Sequence, residues 1–136
     1  MGLEKQKLVR LEGKWDFSVD GGAIGSFPLI SVPANFRVVD AWYQVETAIT
    51  SGGTPTVELG DGADPNGYFA DFQASMGTTG IKGLNQDAKG AYLWDDTNDS
   101  GDSRLYAADD TIDFVVGTAA LTAGKLKCVV YGEVLV

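Results

Sequence analysis

The chain has 136 residues, of which 44% are hydrophobic and 21% are charged; these values are typical of one globular domain and exclude an extensively disordered chain. The net charge of −9 disfavours binding to the phosphate backbone of nucleic acids. The apolar runs are too short for a membrane-spanning helix, and the N-terminus lacks the pattern of a signal peptide. We therefore expect a soluble protein that is made in the cytoplasm and contacts neither nucleic acid nor membrane.

The N-terminal end differs in charge from the rest of the chain. Residues 1–14 carry two acids and four cations, Lys5, Lys7, Arg10 and Lys14, which gives +2, whereas the other 122 residues carry six cations and seventeen acids, which gives −11. A basic lead before an acidic body predicts an arm that docks on another protein, although a frayed terminus explains it equally well. We divide the chain into an arm, residues 1–14, and one domain, residues 15–136.

The first half of the domain contains three long strand patterns. Residues 14–20 alternate, which predicts a strand with Trp15, Phe17 and Val19 on its buried face. Residues 24–32 form a second apolar segment, in which Pro28 indicates an edge strand or a bulge. Residues 36–50 predict the longest strand. Its expected core face is Val39, Ala41, Tyr43, Val45, Thr47 and Ile49.

Shorter strands are predicted after this point, at residues 56–60, 90–95 and 111–117, the last with Ile112, Phe114 and Val116 pointing inward. A last turn is expected at residues 121–124 and a last strand at residues 125–136. About eight strands with frequent turn signals, and no helical pattern, predict an all-β fold. The expected architecture is an antiparallel β-sandwich of jelly-roll-like form with a short N-terminal arm.

Catalytic chemistry is not expected from this composition. The chain has no histidine, which removes the commonest general base near neutral pH and the activation of Ser or Cys by His. The acidic residues cluster in polar turns, where solvation explains them without a catalytic pair. The single cysteine, Cys128, excludes an internal disulfide and is interpreted as a buried packing thiol.

One loop has a partial calcium-binding pattern. Asp96, Asn98 and Ser100 alternate before a glycine, as in the first half of a calcium loop, but the twelfth position is Ala107 rather than a bidentate Glu. A turn rich in Asp and Asn explains the same residues. The loop at residues 61–67 is a weaker candidate still. We therefore expect no cofactor, with Ca²⁺ as the open alternative.

A contact surface is predicted from two features. The last strand is apolar on both faces, with Val129, Tyr131 and Leu135 on the second face, and Trp42 lies on a face of its strand that is otherwise largely polar. Apolar surface of this kind is typical of an interface with another copy or another protein. We expect a homodimer or a homotrimer.

Residues 32–40, 45–57 and 64–68 resemble small virion proteins of tailed bacteriophages, of the head decoration or cement type. The resemblance implies a non-enzymatic structural protein on the head surface, assembled in the host cytoplasm, that binds the major capsid protein and stabilises contacts between its subunits. From the opposite charge sign and early position of residues 1–14, we further expect that this basic arm extends across the capsid and becomes ordered on binding. The alternative function is a lectin-like carbohydrate-binding module of a phage tail or head fibre, because the Trp42 indole also suits sugar stacking.

Overall fold

A computed structural model describes residues 8–84, 89–93 and 103–135. Within these ranges the chain forms eight strands, one short α-helix and one 3-10 helix. In chain order they are β1 (Val9–Asp16), α1 (Phe17–Asp20), β2 (Gly25–Val32), β3 (Phe36–Ser51), β4 (Thr56–Gly60), the 3-10 helix (Gln73–Ser75), β5 (Gly80–Lys82), β6 (Leu105–Tyr106), β7 (Asp110–Gly117) and β8 (Leu121–Val134).

The strands form two antiparallel sheets. The large sheet has the order β1-β8-β3, with β5 and β6 pairing to the remaining edge of β3, and the small sheet has the order β2-β7-β4. The chain alternates between the sheets as it passes from β1 through β4 and again from β6 to β8. This interleaved order is that of a jelly roll. The predicted all-β sandwich is confirmed.

Aromatic side chains join the two sheets across the core. The rings of Trp15 on β1 and Phe114 on β7 are 5.1 Å apart. Phe72, in the connection after β4, bridges the sheets because its ring lies 4.4 Å from Tyr43 on β3 and 6.3 Å from Phe114 on β7 between ring centroids. All four side chains are buried. Burial of apolar surface on this scale is the main source of stability for a sandwich without disulfides.

Several predicted elements are confirmed. Strand β3 matches the longest predicted strand to within one residue, and Ile112, Phe114 and Val116 of β7 point into the core. Pro28 lies on the edge strand β2, where the register with β7 shifts between Pro28 and Ile30. A proline is tolerated there because an edge position needs no N–H donor.

The interior position of Cys128 is also confirmed. Its thiol is fully buried in β8, and desolvation raises its pKa to about 12. The thiol is therefore protonated at neutral pH and packs as a small apolar group.

The strand predicted at residues 14–20 is wrong in its second half. Strand β1 ends at Asp16, whose carboxylate accepts hydrogen bonds from the Ser18 backbone N–H at 2.9 Å and the Ser18 hydroxyl at 2.7 Å and so caps α1. The chain then turns at Gly21, which has a φ of 77°. Val19 is therefore 80% exposed instead of buried.

The expected boundary of the arm at residue 14 is corrected by the pairing of β1. Residues Val9 to Asp16 pair continuously with β8, from Val9 opposite Gly132 to Asp16 opposite Lys125. Arg10 and Lys14 are thus part of the sheet. Lys5 and Lys7 lie outside the described residues.

The expected core face of β3 is wrong at Val39 and Thr47. The register between β3 and β8 shifts between Val38 and Asp40 and again on both sides of Thr47. Because a one-residue shift moves a side chain to the other face, Val38 is fully buried and Val39 is 48% exposed. Thr47 is likewise exposed.

Two boundaries near the C-terminal half also differ from prediction. Residues 91–93 form a turn, in which the Leu93 N–H donates to the Gly90 carbonyl at 3.2 Å, so the described part of the strand expected at residues 90–95 is not a strand. The last turn lies at residues 118–120, with Thr118 at a φ of 69°, and β8 already begins at Leu121.

No helix in the described ranges has the length and apolar character needed to cross a membrane.

Candidate interaction face

The outer face of the large sheet brings together most of the residues predicted to form an interface. On β1, β8 and β3, the side chains that alternate with the core residues point away from the small sheet. Register places them in three successive rows: Arg10, Tyr131 and Asp40; Glu12, Val129 and Trp42; Lys14, Lys127 and Gln44. The same alternation continues this surface to Asp16, Lys125 and Glu46 at one end and to Arg37 and Glu133 at the other. We call the whole surface, together with Leu105 of β6 and Ile81 of β5, the Trp42 face.

Trp42 is the centre of this face. Its indole Nε1 donates a hydrogen bond to the Tyr131 hydroxyl at 3.2 Å. The Lys127 ammonium lies 5.5 Å from the ring centroid and the Arg10 guanidinium carbon 6.0 Å from it, both within the range of cation–π attraction. The indole is half-buried, so one part of it stays accessible.

Val129 lies next to Trp42 and is buried outside the main core. It is fully buried, but it does not belong to the cluster between the two sheets, which includes its neighbours Cys128 and Val130. Trp42, Val129 and Tyr131, three of the predicted interface residues, thus form a small second cluster on the outside of the sheet. Leu135 follows the end of β8, is half-buried, and donates its backbone N–H to Asn35 at 2.7 Å.

Ion pairs surround this cluster. Arg10 contacts Glu12 at 2.9 Å and Lys14 contacts Glu46 at 3.7 Å. Lys125 contacts Asp16 at 3.7 Å. Because these pairs are solvent-exposed, each contributes little to stability. They give the Trp42 face a charged rim around an aromatic centre, which is the usual anatomy of a protein interface.

A second polar cluster, centred on Asp61, lies inside the molecule. Asp61 follows β4 and is 1% exposed. One carboxylate oxygen, Oδ2, accepts from Arg104 Nε at 3.0 Å and from the Tyr106 hydroxyl at 2.9 Å. The other, Oδ1, accepts from the Tyr92 hydroxyl at 3.0 Å and from two backbone N–H groups of its own loop, those of Ala63 and Asp64.

The hydrogen bonds determine the ionisation of this cluster. Burial alone raises the pKa of Asp61, but the hydrogen bonds from the Asp64 backbone, Tyr106, Arg104 and Tyr92 outweigh it, and the pKa lies below the ordinary value of 3.8. Burial, together with the hydrogen bond to Asp61, raises the pKa of Tyr92 to about 12. Five donors occupy the acceptor sites of the carboxylate. Asp61 therefore joins three chain segments and has no free lone pair for a metal or a reacting group.

The sequence did not predict the Asp61 cluster. The local part, an Asp that accepts from the N–H two residues later, is typical of a polar turn. The distant partners, Tyr92, Arg104 and Tyr106, are 31 to 45 residues away, and no spacing rule connects them.

The calcium candidates Asp96, Asn98 and Ser100 lie outside the described residues. Within the described ranges, no group of three Asp, Glu, Cys or His side chains is placed to hold a metal ion.

A shallow depression of about 580 Å³ lies between residues 31–33 and residues 109–111. Among the residues that the structure describes, its lining contains no aromatic side chain for a sugar to stack on.

The fold is shared with chains of two phage capsids. One is a chain of the cyanophage Pam1 capsid asymmetric unit, with a TM-score of 0.61 and 15% identity, where the match covers 99% of this chain and 91% of that one. The other belongs to the acidic stable capsid structure of Helicobacter pylori bacteriophage KHP30, with a TM-score of 0.58 and 16% identity over 95% and 90% of the two chains. The sequence matches no protein-family model and no curated protein. At the level of the fold, the predicted resemblance to phage virion proteins is confirmed.

Proposed function

We propose that this protein is a structural component of a phage virion that binds the outside of the capsid and stabilises contacts between major capsid subunits. The observation that carries the proposal is the match of nearly the whole chain to single chains of two phage capsids. The match covers 95–99% of this chain and 90–91% of each capsid chain, so it includes nearly the whole fold. The absence of histidine agrees with a role without catalysis.

The decoration role is supported by the surface of the molecule. The aromatic centre and charged rim of the Trp42 face provide an adhesive surface on a rigid sheet. The Asp61 cluster ties loops of the sandwich together and so favours a single conformation. We propose that the protein is made in the host cytoplasm and then binds the head surface, as a dimer or a trimer.

We propose an N-terminal arm that is shorter than the predicted residues 1–14. Since β1 begins at Val9, the segment that precedes the sheet includes Lys5 and Lys7 but not Arg10 and Lys14. Lys5 and Lys7 are proposed to contact the capsid electrostatically. A deletion of residues 2–7 tests this without removing any residue of β1, whereas a longer deletion removes part of the sheet.

The test of the proposed function is binding to capsids of the encoding phage that were assembled without this protein. Co-sedimentation is expected to give saturable binding, and the bound capsids are expected to resist heating or low salt better than bare capsids. A protein that stays entirely in the supernatant at micromolar concentration contradicts the proposal. Light scattering of the free protein tests the oligomeric state, and a clean monomer contradicts the dimer or trimer.

The carbohydrate-binding alternative depends on the half-buried Trp42 indole. It predicts retention on a glycan array, with a signal that falls in chelator if the loop at Asp96, Asn98 and Ser100 binds Ca²⁺. Binding to glycans together with no binding to capsids would replace the decoration role by a fibre role.

A further inference from the structure

We propose that the Trp42 face is the surface that docks on the capsid, and that the docked capsid surface presents carboxylates to Arg37 and Lys127 around an apolar centre. This inference rests on the proposed function, and it names the face that is used and the chemistry of the partner.

The distribution of cations distinguishes the two outer faces of the sandwich. Five of the eight Lys and Arg residues in the described ranges lie on the Trp42 face: Arg10, Lys14, Arg37, Lys125 and Lys127. Five acids on the same face balance their charge: Glu12, Asp16, Asp40, Glu46 and Glu133. The three strands of the small sheet contain no Lys or Arg, but they contain Glu58, Asp110 and Asp113. An acidic surface is repelled by the small sheet and by the net charge of −9, so it approaches most easily through the Trp42 face.

Two cations on this face have no acidic partner within the described residues. Neither Arg37 nor Lys127 forms an ion pair there, whereas Arg10, Lys14 and Lys125 each do. The Nε atom of Arg37 is shielded from solvent and has no hydrogen-bond acceptor in the described structure. An unsatisfied buried donor is costly, and because Arg37 as a whole residue is only half-buried, a docked partner can contact the exposed part of its side chain. A carboxylate is the partner that the planar guanidinium group binds best, through two parallel hydrogen bonds.

Exposed apolar side chains complete the face. Leu105 is directly opposite Arg37 on β6, and Ile81 is directly opposite Gln44 on β5. They are 41% and 53% exposed, and Val39, at the irregularity of β3, is 48% exposed. With Trp42 they form an apolar strip along the β3 side of the sheet, and such a strip gains free energy when another protein covers it.

The test uses the full chain and capsids that lack this protein. Arg37→Gln/Lys127→Gln removes the two unpaired charges, and Lys89→Gln is the matched control because Lys89 lies off the Trp42 face, next to Phe69. Circular dichroism and thermal unfolding first establish that both variants fold like the wild type. The double variant is expected to bind capsids about tenfold or more weakly, and Lys89→Gln within about twofold. Binding of the wild type is expected to weaken with added salt more steeply than binding of the double variant.

A second set of variants tests the apolar part independently of charge. Leu105→Ser/Ile81→Ser is expected to weaken binding by about tenfold. Val19→Ser, which removes an apolar side chain on α1 that is even more exposed, at 80%, is expected to leave binding unchanged. If wild type and all variants bind capsids equally, the inference is overturned and the proposed function stands. If the wild type does not bind capsids, the proposed function is contradicted, and the inference that rests on it falls with it. If the Trp42 face variants abolish only self-association and leave capsid binding intact, the occupant is a second copy, which also overturns the inference.

Discussion

Trp42 and Val129 stand directly opposite each other on neighbouring strands, and Val129 is fully buried although it lies outside the core between the sheets. Directly opposite residues have Cβ atoms about 4.5–5.5 Å apart, so the Trp42 indole is placed to cover Val129. The hydrogen bond from the indole to Tyr131 holds the ring in that orientation. The Trp42 face thus has a preformed centre in the free protein.

Removing the indole is expected to uncover Val129. Trp42→Ala should lower the free energy of unfolding by about 1–2 kcal/mol, because apolar cross-strand contacts are lost while the main core stays intact. Urea denaturation measures this change. Gln44→Ala, on the same face of the same strand, is the control and should change stability by less than about 0.5 kcal/mol. Equal effects of the two substitutions would show that Trp42 does not cover Val129.

The Asp61 carboxylate is expected to be among the most sensitive polar positions of the fold. Asp61→Asn keeps the shape but replaces an acceptor by an NH₂ donor that faces Arg104 and the tyrosine hydroxyls. Leaving such buried groups unpaired should cost about 2–4 kcal/mol of unfolding free energy. Asp64→Asn is the control, since within the described part of the chain the Asp64 carboxylate accepts only one long hydrogen bond, from the Asn66 N–H at 3.4 Å. Similar stability of the two variants would contradict the assigned role of Asp61.

The contribution of Asp61 to the free energy of unfolding is expected to depend on pH. Its pKa in the folded protein lies below 3.8, so the stabilisation is fully present above that value and is lost as the pH falls through the folded pKa. The stability difference between wild type and Asp61→Asn should therefore be constant near neutral pH and shrink below pH 3.8. Denaturant titrations at several pH values measure it, and a difference that grows in acid would contradict the prediction.

The pKa of Asp113 is shifted in the direction opposite to that of Asp61, so its ionised carboxylate is expected to lower the stability of the fold. Burial, followed by the charges of Asp110 and Asp61, raises its pKa above 3.8, although a hydrogen bond from Thr111 opposes the shift. Its ionised form is thus unfavourable in the folded protein at neutral pH. Asp113→Asn should raise the stability slightly at pH 7, and this gain should disappear below pH 3.8.

Gly13 is expected to be required where the two sheets meet. A Cβ atom added there would lie 1.9 Å from the Leu29 carbonyl oxygen of β2, and backbone atoms cannot move aside cheaply. Gly13→Ala should therefore destabilise the protein by about 1–3 kcal/mol through displacement of β1. Gly52→Ala, at a position with no atom within 4 Å, is the control for thermal unfolding. An unchanged melting temperature for Gly13→Ala would show that β1 and β2 do not approach this closely.

Part of the Trp42 face could be predicted from the sequence, because the side of a strand on which a residue lies follows from the alternation of apolar and polar residues. Alternation along β3 and β8 identifies Trp42, Val129 and Tyr131 as residues on one face of each strand, and strand pairing then places them side by side. The same alternation fails at Val39 and Thr47, because a bulge depends on the partner strand and leaves no period in the sequence.

By itself, the sequence determined the class of the molecule: an all-β sandwich without histidine, with a buried Cys128 and a long central strand, since hydrophobic alternation and composition are properties of the chain alone. The tertiary structure decided which residues from distant segments meet. It placed Arg104, Tyr106 and Tyr92 around Asp61, brought β1 into the large sheet, and left Arg37 and Lys127 of the Trp42 face without acidic partners among the described residues. These contacts depend on register and on loop closure over tens of residues, and no local physical preference encodes either.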